Sequence, residues 1–333
     1  LFLQNLNTKL PANSISNREF CFLIAESARP EEFNPESADQ WIFERSGIRH
    51  RSYLNPKNVG TGSARPEDEI HFVCEALEHS LGPKVYQNLD AIITVRSSPF
   101  HYIPGLSQRI LKSLNSHFGD DSKRLFTLDI LQPSTGFISA LALARALPFE
   151  SILIVCSEIL SPYLNLKDPG TAMLFGDGMA SVVVTKHRTS NSKFLVIDEH
   201  FSAQADLSDV LKSDQSFDSF HMKGPELFRK VVPEFKRSAK HILSQNGYSV
   251  SDVKHYLPHQ ANQRMIERTA HSIGFEPNQL LSNIARVGNL SSASTLTLLS
   301  EKHGDHFFHP GERILLNACG AGLSSGAAIL EAL

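Results

Sequence analysis

Short apolar runs alternating with amphipathic helical stretches constrain this chain more than any other feature. Glu69 to Leu81 places Ile70, Val73, Cys74, Leu77 and Leu81 at helical spacing, and the β-branched run LDAIITV, Leu89 to Val95, follows it. A second helix around Leu106 to Leu114 leads to FTLDIL, Phe126 to Leu131. The turn Gln132-Pro133-Ser134 then opens a helix from about Gly136 to Leu147, and the buried-type strand SILIVCSE, Ser151 to Glu158, comes next. Such alternation predicts an α/β protein with a largely parallel central sheet.

The second half repeats the order. A helix over Pro225 to Gln245, a strand over Val253 to Leu257, a helix from about Gln263 to Gly274 and a helix behind Asn289 lead to ERILLNACG, read as the last strand. That segment resembles SILIVCSE, so an internal duplication of about 150 residues is expected. The polar stretch KHRTSNS breaks the apolar pattern, which sets the halves at 1–187 and 188–333.

With 333 residues, 41% of them hydrophobic, the chain is long enough for two packed units. A net charge of −3 without a Lys/Arg run gives no footprint for nucleic acid. No stretch approaches the roughly 18 apolar residues of a membrane span. The N-terminal LFLQNLNTKLPANS reads as a strand leading to a turn and lacks the features of an export signal, so the expected location is cytoplasmic. Cys21, Cys74, Cys156 and Cys319 lie apart in apolar stretches and read as reduced packing residues. His303, His306 and His309 in HGDHFFH invite a metal, but three-residue spacing in a loop without cysteines reads as surface, and no metal site is expected.

Three words carry chemistry: LDILQPSTGF with Ser134, LPHQAN with His259 and Asn262, and GNLSSAS with Asn289. A hydroxyl at a helix start, a histidine after a strand and an asparagine at another helix start suit acyl transfer. Taken singly, each has an ordinary reading: Ser134 as an N-cap, His259 as a satisfied core histidine, Asn289 as a turn residue.

With these words, ADQWIFERSGIRHR, LFGDGMASVVV, MKGPELFRKVV and ACGAGLSSGAAIL stand in one order over nearly the whole chain, and the sequence resembles the β-ketoacyl-acyl-carrier-protein synthase III family of the thiolase fold. The resemblance implies two duplicated halves with central mixed sheets in a layered αβαβα arrangement. It also implies a homodimeric acyltransferase with no permanently bound cofactor, acting on acyl-coenzyme A or acyl-carrier-protein thioesters. An acyl group is loaded on Ser134 and passed to a malonyl-derived enolate by decarboxylative Claisen condensation, in fatty-acid-like or secondary-metabolite biosynthesis. His259 and Asn289 then assist decarboxylation, and the backbone amides of Ser134 and Ala321 form an oxyanion hole. Gly320 and Gly322 permit the tight turn beside it. Trp41, Arg45, Arg229 and Arg264 match positions for coenzyme A or carrier protein. Phe100, Tyr102 and Cys319 match the acyl pocket, with Phe100, His101 and Tyr102 reaching it across a dimer.

Ser134 stands where the family carries its nucleophilic cysteine. A serine hydroxyl needs a base during attack, for which His259 is the candidate, and its oxoester is less electrophilic than a thioester. Three readings stay open: a natural serine enzyme, including a non-condensing O- or N-acyltransferase or a priming enzyme; a Cys→Ser variant of a condensing enzyme; and a non-catalytic subunit paired with a paralogue. Retention of His259 and Asn289 argues against the last.

Overall fold

The computed structural model describes residues 1–25, 35–62, 65–98, 103–204, 211–213, 220–222 and 224–333. Its strands are β1 Phe2–Lys9, β2 Asn13–Ser16, β3 His50–Tyr53, β4 Ala91–Arg96, β5 Phe126–Leu131, β6 Ser151–Glu158, β7 Gly178–Thr185, β8 Phe194–Ala203, β9 Leu211–Ser213, β10 Phe220–Met222, β11 His255–Pro258, β12 Arg313–Gly320 and β13 Ser324–Ala332. The helices are α1 Asn17–Ala25, α2 Pro35–Ser46, α3 Pro66–Ser80, α4 Pro83–Gln87, α5 Leu106–Phe118, α6 Gly136–Ala146, α7 Pro169–Ala172, α8 Gly224–Gln245, α9 Gln263–Ile273, α10 Ile284–Val287 and α11 Ser294–Gly304.

Nine strands form one sheet in the order β11-β12-β13-β8-β1-β7-β6-β4-β5, and the duplication shows in its topology. In the first half β5, β4 and β6 are parallel, while β7 and β1 continue antiparallel. In the second, a parallel bridge between Tyr256 and Leu280 stands where β5 stands beside β4; β11 and β12 are parallel, and β13 and β8 antiparallel. The halves meet where Phe2 and Leu3 pair with Leu195 and Phe194. Strands β6 and β12 thus hold equivalent places. The chain does not end on β12, as ERILLNACG suggested: β13 returns antiparallel along it, built from SSGAAILEA, whose small residues carry no strand periodicity.

Three apolar clusters define the layers. Phe72, Val73 and Leu77 of α3 and Ile110 and Leu114 of α5 cover Ile92, Leu153 and Val183 on one outer face. Ile242 of α8 and Ile273 of α9 cover Tyr256, Leu315 and Ile329 on the other. Between the half-sheets lie α6 and α11, whose Phe137, Leu141, Leu296 and Leu299 share one core with Ile93, Ile154, Ile314 and Leu316. This is the layered αβαβα arrangement. Helix α6 packs so closely that a Cβ at Gly136 would lie 2.2 Å from Val95 Cγ1, so glycine at its first position allows the contact. Among the described residues no helix is long and apolar enough to cross a membrane.

Candidate active site

The central helices start at the same end of the molecule, and a cavity of about 850 Å³ opens there. It is lined by Ser134, His259, Asn289, Cys319 and Ala321, with Trp41, Arg45 and Arg264. The cavity therefore gathers residues from both halves. Ser134 sits in the turn between β5 and α6 with φ of 62°, left-handed backbone that a non-glycine residue adopts at some cost. Its neighbour across the turn is Gly320, where a Cβ would lie 2.5 Å from Pro133 O and 2.9 Å from Ser134 Cβ. Only glycine lets β12 approach the serine this closely.

His259 follows β11, and its backbone N–H donates to Asn317 O at 2.7 Å. The adjacent Gln260 anchors this bend: its N–H donates to Ser294 Oγ, and its Oε1 accepts from Ser282 Oγ and the Asn283 amide. The imidazole is buried and Nδ1 has no hydrogen-bond partner among the described residues. Burial alone lowers its pKa to about 3, so the ring is neutral near pH 7. Asn289 is fixed by backbone bonds to Leu174 O and from the Gly176 amide, and its Oδ1 accepts from Ser291 N–H at 2.8 Å. That bond orients the carboxamide with Nδ2 as its remaining donor.

Cys319 is buried in the wall, and burial pushes its thiol up to about 12, so it is a neutral apolar surface. Towards solvent, the Arg45 guanidinium lies 4.3 Å from the Trp41 ring centroid, and Asn262, the N-cap of α9, donates to Arg45 O. Arg229 is not brought to the cavity. It is exposed on α8, whose Leu227, Phe228 and Val231 face inward instead. The expected acyl-pocket residues Phe100 and Tyr102, and His101 between them, lie outside the described residues. The histidines of HGDHFFH do not converge: His303 packs edge-on against Phe194, and the His309 amide donates to Glu312. No group of metal-ligating side chains occurs among the described residues. All four cysteines are free and buried.

Family models for 3-oxoacyl-[acyl-carrier-protein] synthase III match residues 128–204, and those for its C-terminal part match 243–332. The β-ketoacyl-[acyl-carrier-protein] synthase III of Campylobacter concisus is 30% identical, with 89% of each chain covered, and that of Helicobacter pylori is 29% identical over 98% of this chain and 97% of its own. The crystal structure of 3-oxoacyl-[acyl-carrier-protein] synthase III from Aquifex aeolicus superposes with a TM-score of 0.82 at 26% identity, covering 99% of both chains. This chain belongs to the 3-oxoacyl-[acyl-carrier-protein] synthase III family. Its members are acyltransferases of the condensing class that use acyl-coenzyme A or acyl-carrier-protein substrates without a permanent cofactor, and the chain is a condensing-enzyme homologue of the thiolase fold.

Within this synthase III frame, the Ser134 amide, expected in the oxyanion hole, donates to Ser291 Oγ at 3.1 Å in the free protein. Ser291 and Ser97 both line the cavity, and neither was singled out from sequence. Their hydroxyls lie 2.6 Å apart although 194 residues separate them, a convergence that no local pattern encodes.

Proposed function

We propose that the chain takes an acyl group from a coenzyme A or carrier-protein thioester onto Ser134 and passes it to the enolate of a malonyl thioester. The observation that carries this reading is the convergence of Ser134, His259 and Asn289 on one apolar cavity at the start of the central helices. In the first step the serine oxygen bonds to the acyl carbon and the thiol leaves, the serine proton passing to it by way of His259. In the second, carbon dioxide leaves the malonyl group, and His259 and Asn289 donate to the enolate oxygen that develops. The new carbon–carbon bond then releases the Ser134 oxygen, which takes up one proton from solvent to restore the hydroxyl. A neutral imidazole suits both steps, as an acceptor in the first and a donor in the second. The Ala321 amide is assigned to the oxyanion of the acyl transfer, together with the Ser134 amide, which bonds Ser291 Oγ in the free protein.

Donor binding is assigned to the mouth, where Trp41 and Arg45 stack and Arg264 lines the rim. The partner reading is a second copy of the chain. Strand β5 is the open edge of the sheet and exposes Phe126 and Leu131, the latter also a cavity residue. The boundary between the halves is assigned to 187/188, in the connection between β7 and β8.

The test is release of carbon dioxide from a malonyl thioester by the parent protein and by His259→Ala. Loss of release in the variant supports the assignment; undiminished release removes His259 from the mechanism.

A further inference from the structure

A hydrogen-bonded chain runs from a fully buried carboxylate to the acyl acceptor. Glu158, at the end of β6, receives four donors: the Ser97 amide at 3.0 Å on Oε2, and on Oε1 the Ser97 hydroxyl at 2.8 Å, the Ser292 amide at 3.0 Å and the Ser292 hydroxyl. These donors match an ionised carboxylate, although burial raises its pKa. The donors also fix the direction of the chain. Because the Ser97 proton points to Glu158, its oxygen accepts the Ser291 proton at 2.6 Å. The Ser291 oxygen is then left to accept the Ser134 N–H at 3.1 Å.

Both ends of that last bond are in left-handed backbone, Ser291 at φ 40° and Ser134 at φ 62°. Such conformations persist only where surrounding bonds over-determine them. We propose that Ser291, backed by Ser97 and Glu158, is the positioning residue that holds Ser134 in its left-handed turn with its hydroxyl at the cavity. Without the Ser291 oxygen, a buried amide loses its acceptor and the turn relaxes away from the reacting geometry. The inference rests on the reading that residue 134 accepts the acyl group.

The experiment measures single-turnover acyl loading by intact mass against donor concentration, in the parent and in a Ser134→Cys background with the same backbone. Ser291→Ala and Ser291→Gly should each lower the saturating rate on the order of 10- to 100-fold, as expected for a misplaced nucleophile, while the half-saturating donor concentration stays within about twofold. Glycine tolerates positive φ, so a purely conformational role for position 291 predicts recovery in Ser291→Gly but not in Ser291→Ala. Ser97→Ala should lower the rate in the same way, and the double variant Ser97→Ala/Ser291→Ala should be no slower than Ser291→Ala alone, because both act through one chain. Loading by Ser291→Gly within about twofold of its parent overturns the proposal. If the parent never loads while Ser134→Cys does, the serine-nucleophile reading fails and the cysteine series alone decides the positioning claim.

Discussion

The buried state of His259 makes a quantitative prediction about acid stability. Its pKa falls from 6.5 in the unfolded chain to about 3 in the folded protein, and burial is the only cause. As pH drops below 6.5, the unfolded chain therefore takes a proton that the folded one refuses. Stability from this residue is full above about pH 6.5 and is lost as pH falls towards 3, at roughly 1.4 kcal/mol per unit. Between pH 7.5 and 4.5 the loss is about 2.5 kcal/mol. The wild-type curve alone would hide it, because buried carboxylates work in the other direction, Glu158, also raised by burial, among them. Glu69, raised by burial to about 7, and Asp177, raised by burial to about 6, keep a proton in the folded protein that the unfolded chain releases. Their contribution is greatest at low pH and declines as pH rises through these values. The difference between wild type and His259→Gln isolates the histidine. Urea unfolding of both proteins at about pH 7.5, 6 and 4.5 should show the wild type losing about 2.5 kcal/mol relative to the variant. Parallel stability curves would refute a buried neutral imidazole that cannot charge.

Glu69→Gln should flatten the fall in stability between about pH 4.5 and 7, removing a pH-dependent term of about 3 kcal/mol in thermal or urea unfolding. The sign is informative because Glu69 is paired with Arg96 at 3.4 Å, an attraction that burial outweighs. Gly320→Ala should destabilise by about 1–3 kcal/mol and slow acyl loading, since its Cβ meets the carbonyl of Pro133 and the Cβ of Ser134; unchanged melting and unchanged loading would contradict the close approach. Ser134→Cys should raise condensation on the order of tenfold or more, measured as β-ketoacyl product, because a thioester is the better electrophile. A slower cysteine variant would show a site adapted to serine.

The layered fold was legible because its inner strands are written in apolar residues. SILIVCSE is buried at every position, and the runs LDAIITV and FTLDIL bracket α5, a helix of clear periodicity. Strands β8 and β13 were not, since FLVIDEHFSA and SSGAAILEA mix charged or small residues and gain their state from neighbours in the sheet. The candidate site was legible for a different reason: Ser134, His259 and Asn289, which the structure brings to one cavity, stand where strands end or helices begin, in words whose order survives in the chain. Arg229 shows the limit of that reasoning. One helical step separates it from Phe228, and that step is the difference between the cavity wall and solvent. The chain Glu158–Ser97–Ser291 was invisible because serines at strand ends and after GN are common, and only the packing of β4, β6 and the turn before α11 brings these three together.

The most direct test is the intact mass of the protein after incubation with a panel of acyl-coenzyme A and acyl-carrier-protein thioesters, followed by peptide mapping. The account predicts one acyl group per chain on the peptide carrying Ser134, absent in Ser134→Ala. Stoichiometric labelling that persists in Ser134→Ala, or an acyl group mapped to the Cys319 peptide instead, would contradict it.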